Sequence, residues 1–232
     1  MVQRPNGPVE DSPWPSELDA RVITPGDDPR IHGFSVESDL ANHYSFTDTV
    51  LLSLTGELPS SDQGRAFELA LMFLAPVSVA EAPTHAATLA RICGTRSSAI
   101  VGIAALTLVE RARSLLDEYA LVVAWLTDPA RSFPAHFRAK TQAERASVAR
   151  LSAALKASSV ELDVFGWDPD RISAVLALLC YAGLTRREQQ ESVFVLASLA
   201  PTLGEAFSTE PLSFREYPMQ LPPFVYDEPE GR

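Results

Sequence analysis

An all-α fold is predicted by three observations. No alternating apolar–polar run of convincing strand length occurs anywhere in the chain. Helix-start patterns of the capping-box kind recur, as at Ser45-Phe46-Thr47-Asp48 and Thr141-Gln142-Ala143-Glu144. The stretch Thr84–Leu126 is free of proline and rich in small and apolar side chains, with Gly94 placed to divide it into two helices.

The elements follow in order. Residues 1–20 form an arm with Pro5, Pro8, Pro13 and Pro15, anchored at most by Trp14. Arg21–Phe34 holds Pro25, Gly26, Pro29 and Gly33 and reads as a loop or short extended pair. Ser45 caps a helix that Gly56 stops, and Ser60–Gln63 repeats the pattern for a helix to Leu74 with Phe67, Leu71 and Leu74 at helical spacing. The central pair comes next, its second helix running to Leu126. Ile100, Ile103, Leu106, Leu108 and Val109 surround that helix, and a helix apolar all round is a buried one. Glu110, Arg111 and Arg113 arrive too soon for it to cross a bilayer. Too little chain remains to cover it on all sides, so a dimer built on Thr84–Leu126 is expected.

Thr127–Lys140, with Pro129 and Pro134, is a loop. Thr141 then caps a helix whose Ala146, Val148, Leu151 and Leu155 share one side. Asp168-Pro169 is expected to start a helix ending at Gly183. Thr185 is expected to cap a last helix reaching about Ala200, where Pro201 breaks or kinks it. The tail from Pro211 carries five prolines with Phe214, Tyr217, Phe224 and Tyr226, a mixture suited to lying on apolar surface. The domain plan is thus an arm at 1–20, a helical domain at 21–227 and a tail at 228–232.

Composition excludes some functions. A hydrophobic content of 46% supplies a packed core, while a net charge of −11 argues against nucleic acid as a general partner. Cys93 and Cys180 stand in apolar helical context and read as buried free thiols, which with a polar N-terminus suggests the cytoplasm. The histidines His32, His43, His85 and His136 show no metal spacing, and neither a glycine-rich phosphate loop nor a G-x-S-x-G elbow is present.

The segment Arg30–Ser60 carries a more specific signal. Gly33-Phe34, Asp39-Leu40, Ser45-Phe46 and the string Leu54-Thr-Gly-Glu-Leu-Pro59 stand in the order found in the citrate synthase family, including its short citryl-CoA-lyase-like members. The central hairpin, Ile172–Gly183 and the tail Pro222–Asp227 resemble the family as well, over about Arg21 to Asp227 with an abbreviated middle, or small domain. The resemblance implies a nearly all-helical dimer with the central helices at its interface. It also implies carbon–carbon bond chemistry on acetyl-CoA and a 2-oxo acid, or cleavage of citryl-CoA. Such chemistry uses an Asp base, a His on the thioester carbonyl, a second His near the oxo group and arginines on the carboxylates.

Most of those groups are replaced here. Ser114-Leu115-Leu116-Asp117 stands where the family has His-Gly-Gly-Ala. The glycine-rich loop of the second histidine is absent, and His136 in Phe133-Pro134-Ala135-His136 is the candidate nearby. Ala197-Ser198-Leu199 replaces the Ala-Arg-Thr helix, and Glu205 stands at a further His position. Asp170, ahead of Ile172-Ser173-Ala174, keeps the place of the catalytic Asp, with Asp163 as a rival placement and simple helix capping as its ordinary role. Arg131, Arg138 and Lys140 flank His136 and would meet the phosphates of coenzyme A, if they are not solvated surface.

The expectation is a citrate synthase-like protein that is catalytically degenerate and serves as a binding, regulatory or partner subunit. It would pair with itself or with a citrate synthase-like relative, with neither nucleic acid nor membrane as partner. The alternative is an active acyl-CoA lyase or condensing enzyme rebuilt around Asp170 and His136, taking a coenzyme A thioester.

Overall fold

In the computed structural model, residues 17–128, 132–158 and 160–212 are described. The proline-rich arm with Trp14, Arg131 and the tail beyond Leu212 lie outside them. The chain divides at Ser60 into two compact units.

The first unit opens with three two-residue strands in an antiparallel meander, β1 (Ile23–Thr24), β2 (Arg30–Ile31) and β3 (Phe34–Ser35). Register pairs Ile23 with Ile31 and Ile31 with Phe34. The β2–β3 turn uses His32 and Gly33, both at positive φ (48° and 86°), the geometry a two-residue hairpin favours. A π-helical turn, Val36–Leu40, leads into α1 (Ala41–His43), and α2 spans Phe46–Thr55. The Ser45 capping box forms as the sequence predicts, with Ser45 Oγ accepting from the Asp48 amide and the Asp48 carboxylate accepting from the Ser45 amide. Gly56 ends α2 at φ 84°.

The second unit is helical: α3 (Ser61–Leu74), α4 (Ala82–Ile92), α5 (Ser97–Glu118), α6 (Ala120–Thr127), α7 (Gln142–Lys156), α8 (Arg171–Tyr181) and α9 (Arg187–Ser208). Helices α4, α5 and α9 pack on one another around Ala87, Ile100, Ala104 and Ala206. Their small side chains permit close approach. Helix α3 lies against α8 and α9, while α7 and α6 lie against α8. Helix α8 is the most deeply buried, with Ser173 through Leu179 all inside.

Several local expectations need correction. The second central helix does not run to Leu126: Tyr119 (φ −91°, ψ 14°) interrupts it, so α5 and α6 are separate. Helix α5 buries Ile100, Ala104, Leu108, Ala112 and Leu116, four residues apart, while Leu106 is 65% exposed and Val101 37%. Asp168 does not start α8, because it sits at φ 54° after a 3-10 turn, Asp163–Trp167. The cap is Asp170, extended at ψ 172°, whose carboxylate accepts from the Ser173 amide. Thr185 likewise yields to Arg186, whose amide donates to the Gln189 side chain at 3.0 Å.

Pro201 does not end the last helix, which continues to Ser208. A mid-helix proline costs about 3 kcal/mol in isolation. Here side-chain bonds on both sides of it tie α9 to its neighbours: Ser198 Oγ donates to the Leu74 carbonyl at 2.9 Å, and Thr202 Oγ lies 3.3 Å from Thr84 Oγ. Cys93 is exposed rather than buried, because it closes α4 beyond the helix's inward face; Cys180 is half-buried, and both thiols are free.

Candidate functional site

Asp170 is held from three directions. Its Oδ1 accepts from the Ser173 amide at 2.8 Å, its Oδ2 accepts from the Tyr119 hydroxyl at 2.8 Å, and its own amide donates to the Phe137 carbonyl at 2.8 Å. The first bond is local to the start of α8. The second depends on the break between α5 and α6, which turns Tyr119 out of the helix end. The third belongs to a short pairing in which Arg138 bridges Pro169 and the Ala139 amide donates to the Asp168 carbonyl at 2.9 Å. Burial, and then the hydrogen bond to Asp170, pushes the Tyr119 hydroxyl well above the usual phenol range. It therefore stays protonated and serves as donor to the carboxylate.

A hollow of about 340 Å³ opens here, lined by Tyr119, Ala143, Glu144, Ser147, Asp170, Arg171 and Ile172. Glu144 is committed as well: its Oε2 accepts from the Thr141 and Lys140 amides, and those backbone bonds hold its carboxyl below the usual range. The hollow thus combines two carboxylates occupied in capping helices with a serine hydroxyl and the Arg171 guanidinium.

His136 comes close to this region in the chain trace but is not part of the lining. It is exposed on the 3-10 turn Ala135–Phe137, edge-on to the buried ring of Phe137 at 5.1 Å. Phe137 in turn meets Tyr119 at 4.8 Å. A buried aromatic ring, rather than the imidazole, faces the Tyr119–Asp170 pair. Arg138 and Lys140 are exposed on the same segment and do not line the hollow, and Arg131 lies outside the described residues. The loop 135–140 is thus pinned along Asp168–Asp170 by its backbone, with its charged side chains outward. Asp163 lies in a different hollow, with Trp125, Cys180 and Tyr181.

Of the aligned replacements, Asp117 and Ser198 have structural roles. Ser114 sits exposed on α5, beside half-buried Leu115 and buried Leu116. Asp117 pairs with Arg187 at 2.6 Å, and that hydrogen bond lowers its carboxyl. Ser198 is buried and spends its hydroxyl on Leu74, leaving no space for an arginine. Among the described residues, no group of three or more metal-ligating side chains forms, and no helix is long and apolar enough to cross a membrane. Tyr119 is the site residue that sequence reasoning missed. Its partner lies 51 residues away, and no local spacing links the two.

No family model matches the sequence, and no curated protein does. Among solved structures, citryl-CoA lyase from Hydrogenobacter thermophilus matches with a TM-score of 0.57 at 14% identity, covering 91% of this chain and 97% of that one. The chain has a citrate synthase-like, all-α fold. The match spans nearly all of both chains.

Proposed function

We propose that this is a catalytically degenerate citrate synthase-like protein that acts as a binding, regulatory or partner subunit in a dimer, with itself or with a citrate synthase-like relative. A fold outlives its site, so the reading rests on the residues. The observation that carries it is the commitment of Asp170. Its two oxygens each accept one bond, from the Ser173 amide of the α8 cap and from the Tyr119 hydroxyl, and among the described residues no imidazole lines the hollow beside it. A base for enol formation works only with a positioned electrophile opposite it. Loss of a single oxyanion donor typically costs about a hundred- to a thousandfold in rate. The exposed apolar strip of α5 supports the dimeric part of the reading, and the two free thiols suit a reducing compartment.

The test is release of free CoA thiol from acetyl-CoA with oxaloacetate, and cleavage of citryl-CoA, at high protein concentration. No turnover is expected. Turnover that disappears in Asp170→Asn would replace this reading with the second one.

The second reading is an acyl-CoA lyase or condensing enzyme rebuilt around Asp170. Two observations favour it: a hollow does open beside that carboxylate, and a solved structure of matching length is a citryl-CoA lyase. On this reading a coenzyme A thioester would bind, with Arg131, Arg138 and Lys140 toward its phosphates and His136 swung inward. Calorimetry with coenzyme A, comparing the wild type with Arg138→Glu/Lys140→Glu, separates a binder from a protein with no affinity for it.

A further inference from the structure

A second hollow lies between α6, the Asp163–Trp167 turn and α8. It measures about 300 Å³ and is lined by Trp125 and Leu126 from α6, Leu162 just before the turn, Asp163 and Val164 from the turn, and Ala177, Cys180 and Tyr181 from α8. It shares no lining residue with the hollow at Asp170. We propose that this hollow binds a small organic cation of the methylated-ammonium class.

The lining has the composition such a ligand requires. Two aromatic side chains, Trp125 and Tyr181, stand in one wall system with a carboxylate, and aliphatic groups complete it. Aromatic faces attract cations through their quadrupole, and methylated ammonium groups suit them because the cation is weakly hydrated and apolar at its surface. Among the described lining residues, Asp163 is the one charged side chain. Burial pushes the Cys180 thiol up to about 11, so that part of the wall is uncharged. A simple anion would meet Asp163 with no guanidinium or ammonium to offset it. A neutral apolar ligand would draw nothing from the exposed Asp163 carboxylate. Lys156 and Glu161, of opposite charge, line the adjoining hollow on the far side of Leu162 and Asp163.

The aromatic wall is braced before any ligand arrives. Trp125 stands edge-on to Phe133 at 5.1 Å and to Trp167 at 6.3 Å, and only 7% of it is exposed. Tyr181 is 38% exposed at the end of α8, so it supplies the accessible surface. The volume falls at the small end of the roughly 300–1,000 Å³ typical of small-molecule pockets. The excess of acidic residues over the whole chain, a net −11, adds a long-range attraction for cations.

The experiment uses the full chain with choline and its neutral isostere, 3,3-dimethylbutan-1-ol, followed by calorimetry and by saturation-transfer NMR. Choline is expected to bind with a Kd on the order of 1 mM or tighter, and the isostere about tenfold more weakly. Asp163→Asn is expected to weaken choline about fivefold, as for a partly exposed charge pair. Tyr181→Phe should retain binding, because the ring face remains, while Tyr181→Leu should lose about tenfold. Equal affinity for choline and the isostere would overturn the proposal, as would no saturable binding of choline at tens of millimolar. The isostere comparison needs no variant, so it stands even if Tyr181→Leu folds poorly.

Discussion

Gly102→Arg separates folding from assembly. A Cβ built at Gly102 meets nothing within 4 Å, so the side chain has open space in the single chain. Gly102 has an ordinary helical φ inside α5, and replacing glycine there by a good helix former adds about 0.5–1 kcal/mol to helix stability. The folded chain should therefore tolerate the change or gain slightly. Assembly is another matter. Gly102 lies in the exposed strip with Val101 and Leu106, the surface proposed to meet the partner. A symmetric dimer would receive two arginines. Leaving a charge buried and unpaired costs about 3–5 kcal/mol. Allowing each guanidinium to reach toward the rim, at least 3 kcal/mol in all remains, which is about a hundredfold in the dimer dissociation constant. Sedimentation equilibrium across micromolar concentrations should give a dimer for the wild type and a monomer for the variant, with thermal unfolding of the variant's chain still cooperative. A wild type that is a well-folded monomer at those concentrations refutes the reasoning. So does a variant that dimerises equally well.

Asp170→Ala removes both a helix cap and the acceptor of Tyr119, and should destabilise the protein by about 2 kcal/mol in urea unfolding. Asp170→Asn should cost less than about 1 kcal/mol, since asparagine caps equally well and its amide can meet the Tyr119 oxygen. At pH 8, Ellman's reagent should titrate Cys93 quickly and Cys180 slowly, because Cys93 is exposed while the Cys180 thiolate is suppressed; Cys93→Ser should abolish the fast phase. The neutral Cys180 thiol is favoured by the fold, so its contribution to stability is full below the unfolded thiol's pKa and is lost as pH rises from about 9 toward about 11; a Cys180→Ala variant should lack that part of the alkaline decline in urea midpoint. Ser198→Arg, which puts an arginine back at the aligned family position, should cost more than about 3 kcal/mol by burying a guanidinium where a hydroxyl now bonds Leu74; a soluble variant with unchanged Tm would show that the interior can open there.

What the sequence determined by itself is local. The capping boxes at Ser45 and Thr141, the turns at Gly56, Gly94 and Gly183 and the all-α class follow from interactions spanning three to five residues, and each reads from its own neighbourhood. The Leu54–Pro59 string and the small-residue hairpin pointed to the citrate synthase-like fold for the same reason: they are local demands of turn and close packing. Local patterns also misplaced two caps by one or two residues, at Asp168 and Thr185, because several polar residues in a row can each cap, and the backbone angle of each is set by what precedes it.

Tertiary structure alone decided the rest. Pro201 stays within α9 because α3 and α4 hold the helix through Ser198 and Thr202, contacts more than 110 residues distant in sequence. Asp170 was legible as a candidate, but its state was not, since the hydroxyl that occupies it comes from Tyr119 at the far end of another helix. His136 was a candidate by chain position, yet it is exposed and outside the lining of the hollow, while the adjacent Phe137 ring is buried. Which of two adjacent rings is buried is settled by packing, here of Phe137 on Tyr119, and burying the apolar ring while leaving the imidazole in water is the lower free energy.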